Sequence, residues 1–223
     1  LPQGLKGTDI CVDMNTAKHV GGDLYDFVQF DDGRLGLMVG DVSGKGVPAA
    51  LFMAQIISQF RNFSSIFDSP AKTLNELNNT ISRESKSGLF VTVVFLIYNP
   101  DTREVRVASA GHLPPFLFRG GQLLEKIEVE EGMPIGLMEG VDFSEKRLTL
   151  NKDDMLLLYT DGVTEARNKL KKDFDEEGII AALKNKPDLS SQQAVELLKG
   201  AIESFVGRAP QHDDITIMTL RAV

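Results

Sequence analysis

One cysteine in 223 residues, Cys11, excludes an internal disulfide and suits a reducing cytoplasm. Its own role reads as that of a small apolar residue in a strand. Histidine is also scarce. His19, His112 and His212 form no His-x-x-His or Glu-x-x-His pair, which argues against a zinc site. No apolar run approaches the ~18 residues needed to cross a bilayer, and the longest, from Phe90 to Tyr98, is of strand length. Lys6, Asp9 and Asp13 interrupt any apolar core at the start, so there is no signal-peptide layout. The chain opens on Leu1-Pro2-Gln3-Gly4 without an initiator Met, which leads us to expect a segment of a longer protein. Excess positive charge is missing too. A formal charge of −8 argues against nucleic acid as the main partner, and it would repel a phosphorylated substrate unless bound cations reversed the local sign.

What is present is acid, in four places. Gly21-Gly22-Asp23, Gly40-Asp41-Val42-Ser43-Gly44, Tyr159-Thr160-Asp161-Gly162 and His212-Asp213-Asp214 each put an aspartate at the boundary of an apolar, strand-like run, beside a glycine or a second acid. Carboxylates brought from several strand ends to one place repel strongly unless cations sit between them. Hard divalent ions such as Mg²⁺ or Mn²⁺ favour such an oxygen-rich ligand set. The pattern is that of a two-metal hydrolase.

The remaining pattern is mixed. With 42% hydrophobic and 25% charged residues, the composition is that of an ordinary globular domain. Alternation predicts strands over Asp9–Met14, Leu24–Phe30 and Leu35–Val42, the last two joined by the hairpin signal Asp31-Asp32-Gly33. Further strands are expected over Phe90–Tyr98, Glu104–Ala110, Pro114–Arg119, Leu123–Lys126, Arg147–Leu150, Met155–Thr160 and Ile215–Arg221. Helical spacing covers Val47–Phe63, with Leu51, Ala54 and Ile57 and also Ile56, Phe60 and Phe63 as apolar positions. A second helix is expected from Pro70 with Ser69 as N-cap, and two more over Glu176–Leu183 and Ser191–Val206, the last capped by Ser190. Antiparallel hairpins interspersed with helices indicate a single layered α+β domain spanning 1–223 rather than a doubly wound sheet.

Each acidic station has a plainer reading by itself. Asp41 and Asp161 would serve equally as turn residues, and Asp26, on the opposite strand face from Asp23, as a hydrogen-bonded structural acid. Of the adjacent Asp213 and Asp214, one is expected to bind metal and the other to make turn hydrogen bonds. Gly44-Lys45-Gly46 lacks the phosphate-loop spacing, and Ser43 lies outside a nucleophile elbow, so neither reading is kept.

Taken together, these stations and the stretches Val20–Asp26, Gly40–Ala50, Phe90-Val91-Thr92, Ala110-Gly111-His112, Gly132–Gly136, Tyr159–Glu165 and Asp213–Thr216 resemble the metal-dependent protein phosphatases of type 2C. The resemblance is to their bacterial branch typified by SpoIIE and RsbU. It implies a four-layer αββα sandwich of two mostly antiparallel sheets flanked by helices. It further implies two Mn²⁺ or Mg²⁺ ions, with room for a third. Asp41 would bridge them, the Val42 carbonyl would bind one, Asp161 and Asp213 would hold the second, and Asp23 would act through metal-bound water. Asp41, Asp161 and Asp213 would then be catalytic, with Asp26, Asp214, Ser43 and His112 in supporting positions. The activity implied is hydrolysis of phosphoserine or phosphothreonine by in-line attack of a bridging hydroxide. The implied substrate is a phosphorylated anti-sigma-factor antagonist with a STAS domain, in a bacterial partner-switching pathway. An N-terminal sensor or activator region and a candidate homodimer also follow from the resemblance.

Two departures stand out. Eukaryotic relatives carry a phosphate-binding arginine where this chain has Lys18, a point charge rather than a bidentate fork. They also carry a histidine where this chain has Ser43, which leaves metal-bound water or His112 to protonate the leaving group. These departures motivate a rival reading, a phosphoprotein-binding module with little or no turnover. A two-metal phosphodiesterase fits the motif order poorly and lacks base-recognising aromatics.

Overall fold

The computed structural model describes residues 7–17, 21–84, 88–130 and 132–223. Among the described residues, ten strands and five helices follow one another as β1 (Thr8–Asn15), β2 (Asp23–Gln29), β3 (Leu35–Val42), α1 (Val47–Ile66), α2 (Pro70–Glu84), β4 (Val91–Tyr98), β5 (Glu104–Ala110), β6 (Phe116–Arg119), β7 (Gln122–Lys126), β8 (Lys146–Thr149), β9 (Met155–Tyr159), α3 (Asp161–Thr164), α4 (Asp175–Leu183), α5 (Ser191–Val206) and β10 (Ile215–Ala222). The strands form two five-stranded sheets, ordered β2-β3-β4-β5-β8 and β1-β10-β9-β6-β7. Their strand pairings are antiparallel.

Three apolar layers hold four layers of structure. Leu37, Val39, Leu96 and Val107 of the first sheet meet Leu117, Leu156, Leu158 and Leu220 of the second in a core between the sheets. Phe52, Ile56 and Phe60 of α1, with Leu74, Leu77 and Ile81 of α2, cover the outer face of the first sheet against Met38, Phe95 and Ile97. Ile179 and Leu183 of α4, with Val195, Leu198 and Ile202 of α5, cover the second against Phe116, Leu157 and Ile217. The central strands β4 and β9 are therefore buried on both faces. This is why they read as unbroken apolar runs rather than alternations. The order is helix, sheet, sheet, helix, as the motifs led us to expect.

Local chemistry sets the boundaries. Ser69 Oγ accepts from Lys72 N (3.3 Å) and Pro70 opens α2. Ser190 and Gln193 form a reciprocal capping box on α5, which satisfies two otherwise unpaired donors. Asn99 Oδ1 accepts from Asp101 N (2.9 Å), closing the turn between β4 and β5. Two readings are corrected. Leu51 and Ala54 lie on the exposed side of α1, whose buried face is Ala49, Phe52, Ile56 and Phe60, because only that side meets the first sheet. Asp161 does not sit in a plain turn but heads the short helix α3. Asp213 and Asp214 precede β10, which opens at Ile215 as the alternation predicts.

Candidate active site

β2 and β3 run antiparallel with Asp23 directly opposite Asp41. Like charges at facing strand positions are destabilising, so this pair needs a compensating partner. Gly22 makes room for one. A Cβ at Gly22 would lie 2.9 Å from Asp41 Oδ1, 2.9 Å from Val42 O and 3.4 Å from Gly44 O. The missing side chain leaves a small cradle walled by three oxygens. Val42 N donates to Gly22 O (3.0 Å), which holds that wall in place.

The second sheet delivers the other acids. Asp161 follows the end of β9 by two positions, and Asp213 and Asp214 lie just ahead of the neighbouring β10. Between the sheets, Asp23 Oδ2 accepts from Thr160 Oγ1 (2.7 Å) and Thr216 Oγ1 (2.6 Å). Burial nonetheless pushes Asp23 up to about 6, because desolvation outweighs the two hydroxyl bonds. Asp41 is pushed up to about 7, first by burial and then by the charges of Asp23, Asp161, Asp213 and Asp214. Asp161 is raised as well, by burial and by Asp213, with Lys45 acting in the opposite sense. The carboxylates of both sheets thus act on one another as a single electrostatic unit.

Asp214 plays a different part from Asp213. Its Oδ1 accepts from Ala17 N (2.8 Å) and its Oδ2 from Gly22 N (2.6 Å), so it clasps the segment that leads into β2. Asp213 Oδ1 instead accepts from Lys45 Nζ (2.8 Å) and Asp214 N (2.9 Å). Asp26 lies away from this cluster. It forms a bidentate pair with Arg61 of α1 (2.7 and 2.8 Å), which ties that helix to β2. Ser43 Oγ accepts from Phe90 N (2.9 Å) and serves to pin the loop after β3. Lys18 lies outside the described residues.

His112 bridges the two sheets. Its Nε2 lies 3.1 Å from Tyr159 O, and a carbonyl only accepts, so Nε2 carries the proton. Nδ1 then accepts from Thr92 Oγ1 (2.9 Å). Desolvation pushes the ring down to about 4, against the pull of the Tyr159 carbonyl. A neutral ring with both nitrogens engaged holds no spare proton for a leaving group. Thr92 faces Asp41 across β3 and β4, and Tyr159 is two residues before Asp161, so the ring fixes the spacing of the two acids.

The donor set fits hard divalent cations. Among the described residues it is all oxygen, partly desolvated and short of compensating positive charge. Among the described residues no three carboxylate, imidazole or thiolate side chains already close on one point. The positive charge in contact with Asp213 is the Lys45 ammonium. Beside Asp213 a cavity of about 260 Å³ runs between α3 and α5, with Ala166, Ile202, Val206 and Ile215 among its apolar walls and Glu165 also lining it.

Sequence reasoning did not single out Thr160, Thr216, Thr92 or Lys45. The two threonines that grip Asp23 stand within two positions of Asp161 and Asp214, and that adjacency was their signal. Lys45 was visible within the Gly40–Ala50 stretch and as part of an ill-fitting phosphate loop, with no role of its own.

Comparison with known proteins agrees with this geometry. The family model described as Stage II sporulation protein E (SpoIIE) matches residues 31–223. Phosphoserine phosphatase RsbU of Bacillus subtilis (strain 168) is 31% identical over 215 residues, which cover 92% of this chain and 60% of RsbU. The chain therefore spans about three-fifths of that relative's length. The SiaA-PP2C domain of Pseudomonas aeruginosa superposes with a TM-score of 0.82 at 20% identity, over 95% of this chain and 85% of that one. The RsbU and RsbW domains of Rv1364c from Mycobacterium tuberculosis give 0.78 at 25% identity, over 96% and 60%. The family match spans most of the chain, including strands of both sheets and every acidic station but the first: the chain belongs to the SpoIIE family.

Proposed function

We propose that this domain is a divalent-metal-dependent serine/threonine phosphoprotein phosphatase. The observation that carries the reading is the pairing of Asp23 with Asp41 beside the Gly22 cradle, electrostatically joined to Asp161 and Asp213. So many coupled carboxylates make a poor surface for a phosphate monoester unless cations are held there. Asp41, the Val42 carbonyl, Asp161 and Asp213 are the residues that would hold two Mn²⁺ or Mg²⁺ ions. Bound ions would supply a nucleophile at neutral pH and neutralise charge on the phosphoryl oxygens.

The chain's own residues do the positioning. Thr160 and Thr216 orient Asp23, and Asp214 fixes the Gly22 amide. His112, neutral and doubly bonded, sets the distance between the strand ends and is not the proton donor. The substrate we infer is a phosphorylated STAS-domain anti-sigma-factor antagonist, acted on in the cytoplasm, with control by an upstream sensor segment. No helix among the described residues is long and apolar enough to cross a membrane. RsbU being named a phosphoserine phosphatase supports the substrate class.

The test is phosphate release from such phosphorylated antagonists, with and without Mn²⁺, for the wild type and for Asp41→Asn and Asp161→Asn. Loss of turnover in both folded variants is expected. Undiminished release in excess chelator would sink the reading. Binding of the phosphoprotein without release at millimolar Mn²⁺ would favour the rival binding module.

A further inference from the structure

Lys45 is unused by the reaction described above, yet it is bonded to that site. Its ammonium donates to Asp213 Oδ1 at 2.8 Å and to the His212 carbonyl at 3.3 Å. Its charge is felt by Asp213, Asp214 and Asp41, and it opposes the upward push on Asp161. The side chain is only partly covered, at 39% exposure, so it is free to leave. It stands between Gly44 and Gly46, whose φ angles of 91° and 87° lie in the region open mainly to glycine. This loop sets the lysine between the end of β3 and the start of α1, within bonding reach of Asp213.

Resting on the phosphatase reading, we propose that Lys45 is the site's internal counter-ion and its phosphate-gripping residue. In the metal-free state the ammonium neutralises Asp213. When a divalent cation takes Asp213, the ammonium is displaced from its carboxylate while its flexible stem keeps it above the cluster. A phosphoryl group delivered to the cations then meets a positive charge from the protein side. The arrangement suits lysine, a compact charge on a long mobile stem, better than a residue locked in one geometry. An exposed ion pair is weak, so a divalent ion displaces it readily. The pairing shields Asp213 at rest without blocking metal entry.

The two halves of the proposal predict shifts of opposite sign in one variant. Lys45→Met should bind Mn²⁺ more tightly in calorimetry, by up to roughly fivefold, since Asp213 no longer has a competing partner. The same variant should be inhibited by inorganic phosphate roughly tenfold less strongly, having lost a charged contact to the anion. In turnover the effect should fall on KM more than on kcat. Lys45→Arg should restore the phosphate inhibition constant, and Lys45→Gln should behave as the Met variant. A structural role would weaken both kinds of binding together. Mn²⁺ affinity no tighter than wild type, or an unchanged phosphate inhibition constant, would overturn the proposal while leaving the phosphatase reading standing. Failure of the wild-type chain to bind Mn²⁺ would overturn both.

Discussion

Asp214 is the acid whose removal tests the construction of the site most directly. The residue is 3% exposed, and its two oxygens accept from Gly22 N (2.6 Å) and Ala17 N (2.8 Å). In Asp214→Ala both amides lose their acceptor. Each unmade bond to a buried group costs about 1–3 kcal/mol. Gly22 is buried and takes the upper part of that range, whereas Ala17 is half-buried and regains part of its loss from water. The sum is about 3 kcal/mol. One effect opposes it. Asp214 adds to the repulsion that raises Asp23 and Asp41, and removing its charge returns about 1 kcal/mol. Lost hydrogen bonds therefore outweigh relieved charge, and the metal-free protein should be about 2 kcal/mol less stable. Asp214→Asn keeps one acceptor and also sheds the charge, so its loss should stay below about 1 kcal/mol. Urea denaturation in chelator measures both. With Mn²⁺ present the gap should widen, since the Gly22 amide fixed by Asp214 belongs to the cradle beside Asp41. An Ala variant as stable as wild type would refute the reasoning, as would an Asn variant damaged as severely as the Ala one.

Two further outcomes follow from the same geometry. Asp41 is held near 7 and Asp23 near 6, against an ordinary value of 3.8, so the folded metal-free chain binds protons more tightly than the unfolded chain. That stabilisation is fully present at low pH and is lost as pH rises through about 7. His112, pushed down to about 4 from 6.5, acts in the opposite direction, but only below its ordinary value. Two carboxyls outweigh the one ring, so in chelator the melting temperature should fall as pH rises from about 4.5 to about 7 and level off above that, and Asp41→Asn should flatten the fall. A flat wild-type profile would contradict the burial argument. Gly22→Ala places a methyl group 2.9 Å from both Asp41 Oδ1 and Val42 O. Mn²⁺ affinity measured by calorimetry should drop roughly tenfold or more with the fold retained, and an unchanged affinity would show that the cradle is not where cations bind.

The sequence by itself determined the class of structure and marked the acids from which the candidate site is built. Period-2 alternation and apolar runs marked strands such as Leu35–Val42 and Glu104–Ala110 to the residue, because side-chain burial repeats with the backbone period. Ser69-Pro70 and Ser190 marked helix starts because capping is local chemistry. Four aspartates, each beside a glycine or a second acid, pointed to hard cations, because gathered carboxylates have few other stable partners. The partnerships among those residues depended on tertiary structure. Asp213 and Asp214 are adjacent and identical in sequence, yet one meets Lys45, 168 positions away, and the other clasps Gly22, 192 positions away. Asp26 was sent to Arg61 rather than to the acid cluster, and His112 was fixed as a neutral bridge rather than a proton donor. Leu51 shares the helical spacing of a buried residue but faces outward, since spacing repeats on every side of a helix and only the packed sheet selects one. Local pattern is set by the backbone period. Roles at the site are set by which distant strand ends the two sheets bring within hydrogen-bonding reach.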